Sequence, residues 1–553
     1  MALLNRDAGE TENNIKVLLV TPISDLSFMN LTCAPPIGLY RVRNYLISKG
    51  IYCDILDLDL DRTLENKYLR LVEQGVYDVI GVSVSHQNIL SDLKTLWRFR
   101  EASRKSGKRC VFISGGQEAS LNYTQWLEAG IDLIFLGYPE KRLYEFISRL
   151  DRQRDDDIGE IVRDIPGVAY KEKDEHFVFR PANILTPKEF RELSFDNVKN
   201  LDIPFDDYWA AVRKSADNLD FHGNIFIVET VRLYTSSHCA HNCGFCTSQV
   251  FLPVCQNKKF PVIMLSASEV YELVLHHIRR YGAKGFLFCD DDFLVGNKGG
   301  LDRAVEFCRL IVEAKNNGLI PEDTTFNCQA RISDFLITQK KLNLELMDAL
   351  HQAGFHGIGV GVETFSDSLL KCPSVNKIGV TETDCYNVLD ALLQKKLVPT
   401  MNIIIGIPES TCDDVIHSMQ MAVKYLLKGC QVAVTIVLFS FPGAPIYNSN
   451  SYDFSTIEWV NPETNKVLII KDHVLPNEPK IANILEKIQD ASAEELRKFN
   501  MQYPWLEDSA IPKPLQGLAI FISVAKLLGR QDVAEEFIEV AHNIIKEEEL
   551  KIG

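Results

Sequence analysis

Three cysteines, Cys239, Cys243 and Cys246, fall in one short segment, Ser237-His238-Cys239-Ala240-His241-Asn242-Cys243-Gly244-Phe245-Cys246. The spacing C-x-x-x-C-x-x-C gathers three thiols on one loop. Three thiolates can hold three irons of a [4Fe–4S] cluster and leave the fourth iron without a protein ligand. An open metal position is where a small molecule binds and reacts. Zinc is the competing assignment: structural zinc sites take four ligands, and His238 or His241 could complete a set with the cysteines. Spacing alone leaves both open. The other eleven cysteines, from Cys33 to Cys430, show no paired spacing. No secretory segment precedes them, so they read as thiols of a reducing compartment rather than disulfides.

Other residues able to do chemistry lie at the ends of apolar runs. Lys284-Gly285-Phe286-Leu287-Phe288-Cys289 leads into Asp290-Asp291-Asp292. Carboxylates at a strand's carboxyl end sit on the functional face of a (β/α) barrel. The plainer reading is an N-cap or an acidic, calcium-like turn. Arg331 closes Thr325-Phe326-Asn327-Cys328-Gln329-Ala330-Arg331. A guanidinium fork there suits a carboxylate; an exposed ion pair is the plainer reading. Gly357-Ile358-Gly359-Val360-Gly361-Val362-Glu363 follows.

The elements that must hold these residues come in two alternating series. Ile15–Pro22, Ile51–Asp57, Tyr77–Ser85, Arg109–Gly116 and Ile131–Gly137 are apolar runs that predict buried parallel strands, with helical segments between them. Alternating strands and helices imply a doubly wound α/β sheet over residues 1–150, which binds ligands beyond the carboxyl ends of its strands. The small residues at those ends, Ser83, Ser85, Gly115, Gly116 and Gly137, would let a large ligand approach the backbone. Glycine after a strand is also ordinary turn punctuation. Residues 151–227 read as a linker. Alternation resumes over 228–450. Residues 451–553 read as a helical C-terminal domain, from helical periodicity over 480–499 and 515–551.

Composition bounds the function. A formal charge of −16 disfavours a nucleic-acid partner. No uninterrupted apolar stretch approaches the roughly 20 residues of a membrane-spanning helix. A cytoplasmic enzyme is the expectation.

The cysteine segment, with the aromatic Phe245 before its last cysteine, resembles the radical S-adenosylmethionine (radical SAM) superfamily. Gly357–Glu363, Asn376-Lys377-Ile378-Gly379, Asn402–Ser410 and Phe441–Tyr447 are similar, in order, to later strands and loops of that family's partial (β/α) barrel. Ile113-Ser114-Gly115-Gly116-Gln117-Glu118, Gly130-Ile131-Asp132 and Leu136-Gly137-Tyr138-Pro139-Glu140 resemble the cobalamin-binding domain that precedes the barrel in one class of these enzymes. Pro35-Pro36-Ile37-Gly38 is similar to an early motif of that domain.

The resemblance implies a [4Fe–4S] cluster on Cys239, Cys243 and Cys246. It implies SAM contacts from Phe245, Asp290, Asp291 and Glu363, with Arg331 on the SAM carboxylate. Cobalamin would lie against Ser83, Ser85, Gly115, Gly116 and Gly137. The D-x-H-x-x-G motif that supplies a cobalt ligand in many cobalamin proteins is absent. Asp220-Phe221-His222-Gly223 lacks the later glycine, and His86 is a lone histidine. Cobalamin would therefore be held without a protein histidine, as is usual in this class. The implied reaction is methylation of an unactivated carbon through a 5′-deoxyadenosyl radical and methylcobalamin. A small-molecule or peptide substrate and an external flavodoxin- or ferredoxin-type electron donor go with it. Ring formation or oxidation without methyl transfer is the second reading. A non-catalytic, metal-stabilised binding protein is the third.

Overall fold

The computed structural model describes residues 14–24, 34–154, 156–216, 229–337, 340–503, 505–508 and 513–552. Asp220, His222 and Cys33 lie outside them. The chain forms two compact units. One comprises the described residues of 1–208 with 250–261 and 458–470; the other comprises those of 209–249, 262–457 and 471–553.

The first unit is built on seven strands: β1 (Lys16–Thr21), β2 (Tyr52–Asp57), β3 (Val79–Val82), β4 (Val111–Gly115), β5 (Leu133–Phe135), β6 (Val168–Lys171) and β7 (Phe177–Arg180). Their order is β2-β1-β3-β4-β5-β6-β7. The first five pair in parallel. Val17–Val20 and Val79–Val82 are buried throughout, as strands covered on both faces must be. The order 2-1-3-4-5 reverses direction between β1 and β3. That reversal opens a crevice beyond their carboxyl ends.

Part of the expected linker belongs to this sheet. β6 and β7 form an antiparallel pair that extends it past β5. Val168, Ala169 and Tyr170 are buried there. Their apolar run is an inner strand between β5 and β7, not a tether.

The second unit carries β8 (Thr230–Leu233), β9 (Gly285–Phe288), β10 (Thr325–Arg331), β11 (Phe355–Glu363), β12 (Val398–Gly406) and β13 (Gln431–Phe439), all parallel to their neighbours. Six parallel strands with helices between them make the partial (β/α) barrel. Local sequence starts and stops the helices. Ser266–Glu269, Thr381–Asp384 and Thr411–Asp414 form reciprocal capping boxes, which satisfy first-turn donors. Gly282 and Gly354 end two helices at positive φ. The helix-side face is packed by phenylalanines. Phe307, on the helix Lys298–Asn316, meets Phe326 of β10 at 5.6 Å, and Phe288 stacks on Phe293 at 4.3 Å. Strand alternation then turns Asn327, Gln329 and Arg331 to the opposite, concave face.

The expected helical C-terminal domain begins instead with two strands, β14 (Phe454–Val460) and β15 (Val467–Val474). β15 pairs antiparallel with β13. The β-branched and aromatic residues of Phe454–Val460 and Val467–Val474 favour strand over helix. Helices follow at Pro479–Leu485, Ile488–Gln502, Lys513–Leu527 and Gln531–Ile552. Among the described residues no helix is long and apolar enough to cross a membrane.

Phe326→Ala should destabilise the barrel unit by about 3–5 kcal/mol, because it removes the centre of the phenylalanine cluster. Urea denaturation followed by near-UV circular dichroism checks this. An unchanged midpoint would show that the cluster does not hold the strands.

Candidate functional site

The cysteine loop leaves the carboxyl end of β8 and is pinned at its start. Asp290, just after β9, is buried. Its Oδ1 accepts the Thr235 and Ser236 amides at 2.7 and 2.5 Å and the Ser236 hydroxyl at 2.7 Å; its Oδ2 accepts the Thr235 hydroxyl at 2.6 Å. The Arg303 guanidinium donates to the Thr235 hydroxyl at 3.0 Å and the Phe293 carbonyl at 2.5 Å. Burial raises the Asp290 carboxyl pKa, and Arg303 and these hydrogen bonds oppose the rise. Asp290, expected to contact SAM, has both oxygens engaged by these four hydrogen bonds. Asp291 is exposed, and only its neighbour's role changes.

The loop is held in its middle by a close approach. Gly244 donates to the Val375 carbonyl at 3.2 Å and accepts from the Ile446 amide at 3.1 Å. A Cβ at position 244 would lie 2.0 Å from the Pro373 carbonyl oxygen. Only glycine fits. Phe245 packs against a core that includes Leu369, Val375, Ile404 and Ile407. The sulfurs of Cys239 and Cys246 accept the amides of His241 and Ser248 at 3.4 and 3.5 Å. Burial pushes both thiols up. The thirteen described cysteines are free. The two histidines of the loop are turned to other partners: His238 Nδ1 lies 2.8 Å from the Ser237 hydroxyl, and His241 Nε2 lies 2.9 Å from Asp292 Oδ2.

Beyond the loop, the concave wall is polar. Strand register sets Gln329, Gly359, Thr400 and Gln431 in one row, and Arg331, Gly361, Asn402 and Ala433 in the next. Gln329 is exposed although β10 lies inside the sheet, so this face is open. The Asn327 carboxamide accepts the Gly357 amide at 2.9 Å, which turns its Nδ2 away; that nitrogen is buried with no hydrogen-bond partner. The Arg331 Nε is likewise buried and without a partner. Two donors are therefore left for a ligand. Asp291 stands at the end of β9, its carboxyl raised by partial enclosure and lowered by Ser248.

Glu363 ends β11 at φ 66°, an uncommon backbone region for a residue with a side chain. It is buried and accepts from the Lys377 ammonium at 2.7 Å; Lys377 also donates to the Gly361 carbonyl. This ion pair fixes the bulge at the end of β11.

In the first unit, Ser83, Ser85, Gly115, Gly116 and Gly137 all follow or end their strands at one edge of the sheet. Gly116, at φ 84°, faces open space: a Cβ there would meet nothing within 4 Å. Gly137, at φ 74°, is closed off by Leu252 and Cys255. His86 is buried, with its Nδ1 3.6 Å from Glu118.

Residues 233–422 match the sequence model of the radical SAM superfamily. This chain carries a radical SAM domain. No curated protein matches it. Among solved structures, the radical SAM methyltransferase TsrM from Kitasatospora setae, with cobalamin and a [4Fe–4S] cluster bound, shares 15% identity at a TM-score of 0.61. The match covers 96% of this chain and 100% of TsrM. The cobalamin-dependent SAM radical enzyme OxsB, with aqua-cobalamin bound, shares 15% identity at a TM-score of 0.62, over 97% of this chain and 80% of OxsB. The chain thus has the multidomain fold of these two enzymes.

Sequence reasoning missed Asn327, His241 with its acidic partners, and the Lys377–Glu363 pair. The register of β10 against β11 could have exposed the first. Asn327 and Gln329 alternate with apolar residues and face a glycine row.

Gly244→Ala should leave less than half the wild-type iron per chain after anaerobic reconstitution, with the far-UV spectrum unchanged. Full iron loading would show that the loop tolerates displacement from Pro373.

Proposed function

We propose that this protein is a cobalamin-dependent radical SAM enzyme that methylates an unactivated carbon of a polar substrate. The observation that carries the reading is the cysteine loop pinned at the carboxyl end of the first barrel strand of a radical SAM domain. Cys239, Cys243 and Cys246 would hold a [4Fe–4S] cluster. Their free thiols, the two N–H···S contacts and the engagement of His238 with Ser237 and of His241 with Asp292 suit three thiolate ligands better than a zinc set. Bound there, the cluster with SAM would supply radical hydrogen-abstraction chemistry, and methylcobalamin would supply the methyl group.

The chain's own residues bind and orient. Arg331, with its unpartnered Nε, suits the SAM carboxylate. The exposed Asp291 suits the SAM ammonium. Phe245 backs the cluster loop, and Lys377 holds Glu363 in place at the end of β11. Asn327, Gln329, Thr400, Asn402 and Gln431 offer hydrogen bonds to a small-molecule or peptide substrate. Ser83, Ser85, Gly115, Gly116 and Gly137 would border cobalamin in the first unit, Gly116 by leaving space and Gly137 by its turn. His86 is buried beside Glu118, and cobalamin would be held without a protein histidine. An external flavodoxin- or ferredoxin-type donor completes the system.

Turnover with SAM carrying a labelled methyl group tests the reading. Label should appear in product alongside 5′-deoxyadenosine. Formation of 5′-deoxyadenosine without labelled product would favour a ring-forming or oxidising outcome. Gly116→Val should cut bound corrinoid by more than half while SAM cleavage persists. Undiminished corrinoid in that variant would remove Gly116 from the site.

A further inference from the structure

Between the first two cluster cysteines, His241 is gripped by residues of two other barrel loops. Its Nε2 lies 2.9 Å from Asp292 Oδ2, on the loop after β9, and 4.0 Å from Asp334 Oδ1, on the turn after β10. Both carboxylates are buried, at 3% and 2% exposure, and each is tied to backbone. Asp292 Oδ1 accepts the Leu294 amide at 3.1 Å, and Asp334 Oδ2 accepts the Arg331 amide at 2.5 Å. Burial, then the neighbouring Asp292, holds the Asp334 carboxyl well above the usual range. The third wall is backbone. Val295 and Gly296 both adopt φ near 59°, and a Cβ on Gly296 would sit 2.8 Å from His241 Cε1 and Nε2 and 2.9 Å from Asp334 Oδ1. Turning the imidazole would displace the loop after β9 and the turn after β10.

What this grip fixes is the other end of the residue. The His241 amide donates to Cys239 Sγ at 3.4 Å. A hydrogen bond to a ligand sulfur favours the more negative, reduced state of an iron–sulfur centre and so raises its potential. Orienting partners outside the ligand set are a recurrent way to tune a metal.

We propose that His241, clamped by Asp292 and Asp334, is a positioning residue that holds its N–H on Cys239 and thereby sets the cluster's reduction potential. The inference rests on the reading that Cys239, Cys243 and Cys246 ligate a cluster. The clamp is distinct from the ligands: the structure gives none of its three side chains a contact with a cluster sulfur. The competing anchor is Asn242, whose carbonyl accepts from Asn376 at 2.5 Å and whose side chain accepts from Gln249.

The test uses the full chain, reconstituted without oxygen. Wild type, His241→Leu, Asp292→Asn and Asp334→Asn are compared for iron and sulfide per chain and for midpoint potential by EPR-monitored titration. The expected result is unchanged loading with a more negative midpoint in His241→Leu; Asp292→Asn, which also removes a negative charge acting on Cys239, should show a smaller negative shift, and Asp334→Asn the smallest. SAM cleavage driven by a flavodoxin-strength reductant should fall more than tenfold in His241→Leu, while cleavage driven by titanium(III) citrate stays within about twofold of wild type. Loaded variants with the wild-type midpoint would overturn the proposal and leave the Asn242 contacts as the loop's anchor. Loss of the cluster from all three variants would overturn it too, since the clamp would then serve folding alone. Wild type without iron and sulfide would remove the cluster reading itself, an outcome distinct from the others.

Discussion

One buried carboxylate organises the barrel's functional end. Asp290 accepts four hydrogen bonds from Thr235 and Ser236, and so welds the exit of β8 to the exit of β9. A buried carboxylate is costly unless its oxygens are satisfied; here they are, with Arg303 beside them. The three cysteines begin three residues beyond Ser236. Their positions follow from this weld, from the glycine wedge at 244 and from the clamp on His241. Loops carry the chemistry, and each is tied to a rigid strand end.

The two units apply the same rule in different forms. Parallel strands direct their carboxyl ends to one edge, and small or polar residues at that edge leave room for a large ligand. In the first unit the room is made by Gly116. In the second it is made by a wall whose concave rows combine glycines with the polar side chains of Asn327, Gln329, Arg331, Thr400, Asn402 and Gln431. A wall of that kind disfavours hydrocarbon and suits groups that exchange hydrogen bonds. Asn327 Nδ2, whose direction is fixed by the Gly357 contact, is its clearest unfilled donor.

The parallel strands were legible because burial on both faces demands continuous apolar runs, as in Val17–Val20. The helix starts at Ser266, Thr381 and Thr411 carry the S/T-x-x-E/D spacing of a capping box, a signal the sequence reading did not use. The cysteine triad was legible from spacing. The division of labour among Asp290, Asp291 and Asp292 was not. Three adjacent carboxylates diverge once the chain turns out of a strand, and sequence does not say which turns inward. Asp290 went to the backbone of β8's exit, Asp291 to solvent and Asp292 to His241. The pairing of Glu363 with Lys377 was hidden because a bulge brings them together. That the β6–β7 pair joins the sheet, and that β14 and β15 are strands, went unforeseen for another reason. Short antiparallel edges carry weaker patterns than buried parallel strands, and their pairing is decided by tertiary packing.

The central claim is that three thiolates of this chain hold a cluster whose open iron meets SAM. EPR spectroscopy of the reduced, anaerobically purified protein, with and without SAM, tests it most directly. The account predicts the signal of a reduced [4Fe–4S] cluster whose g-values change when SAM is added. A protein without that signal, or with a signal indifferent to SAM, would contradict it.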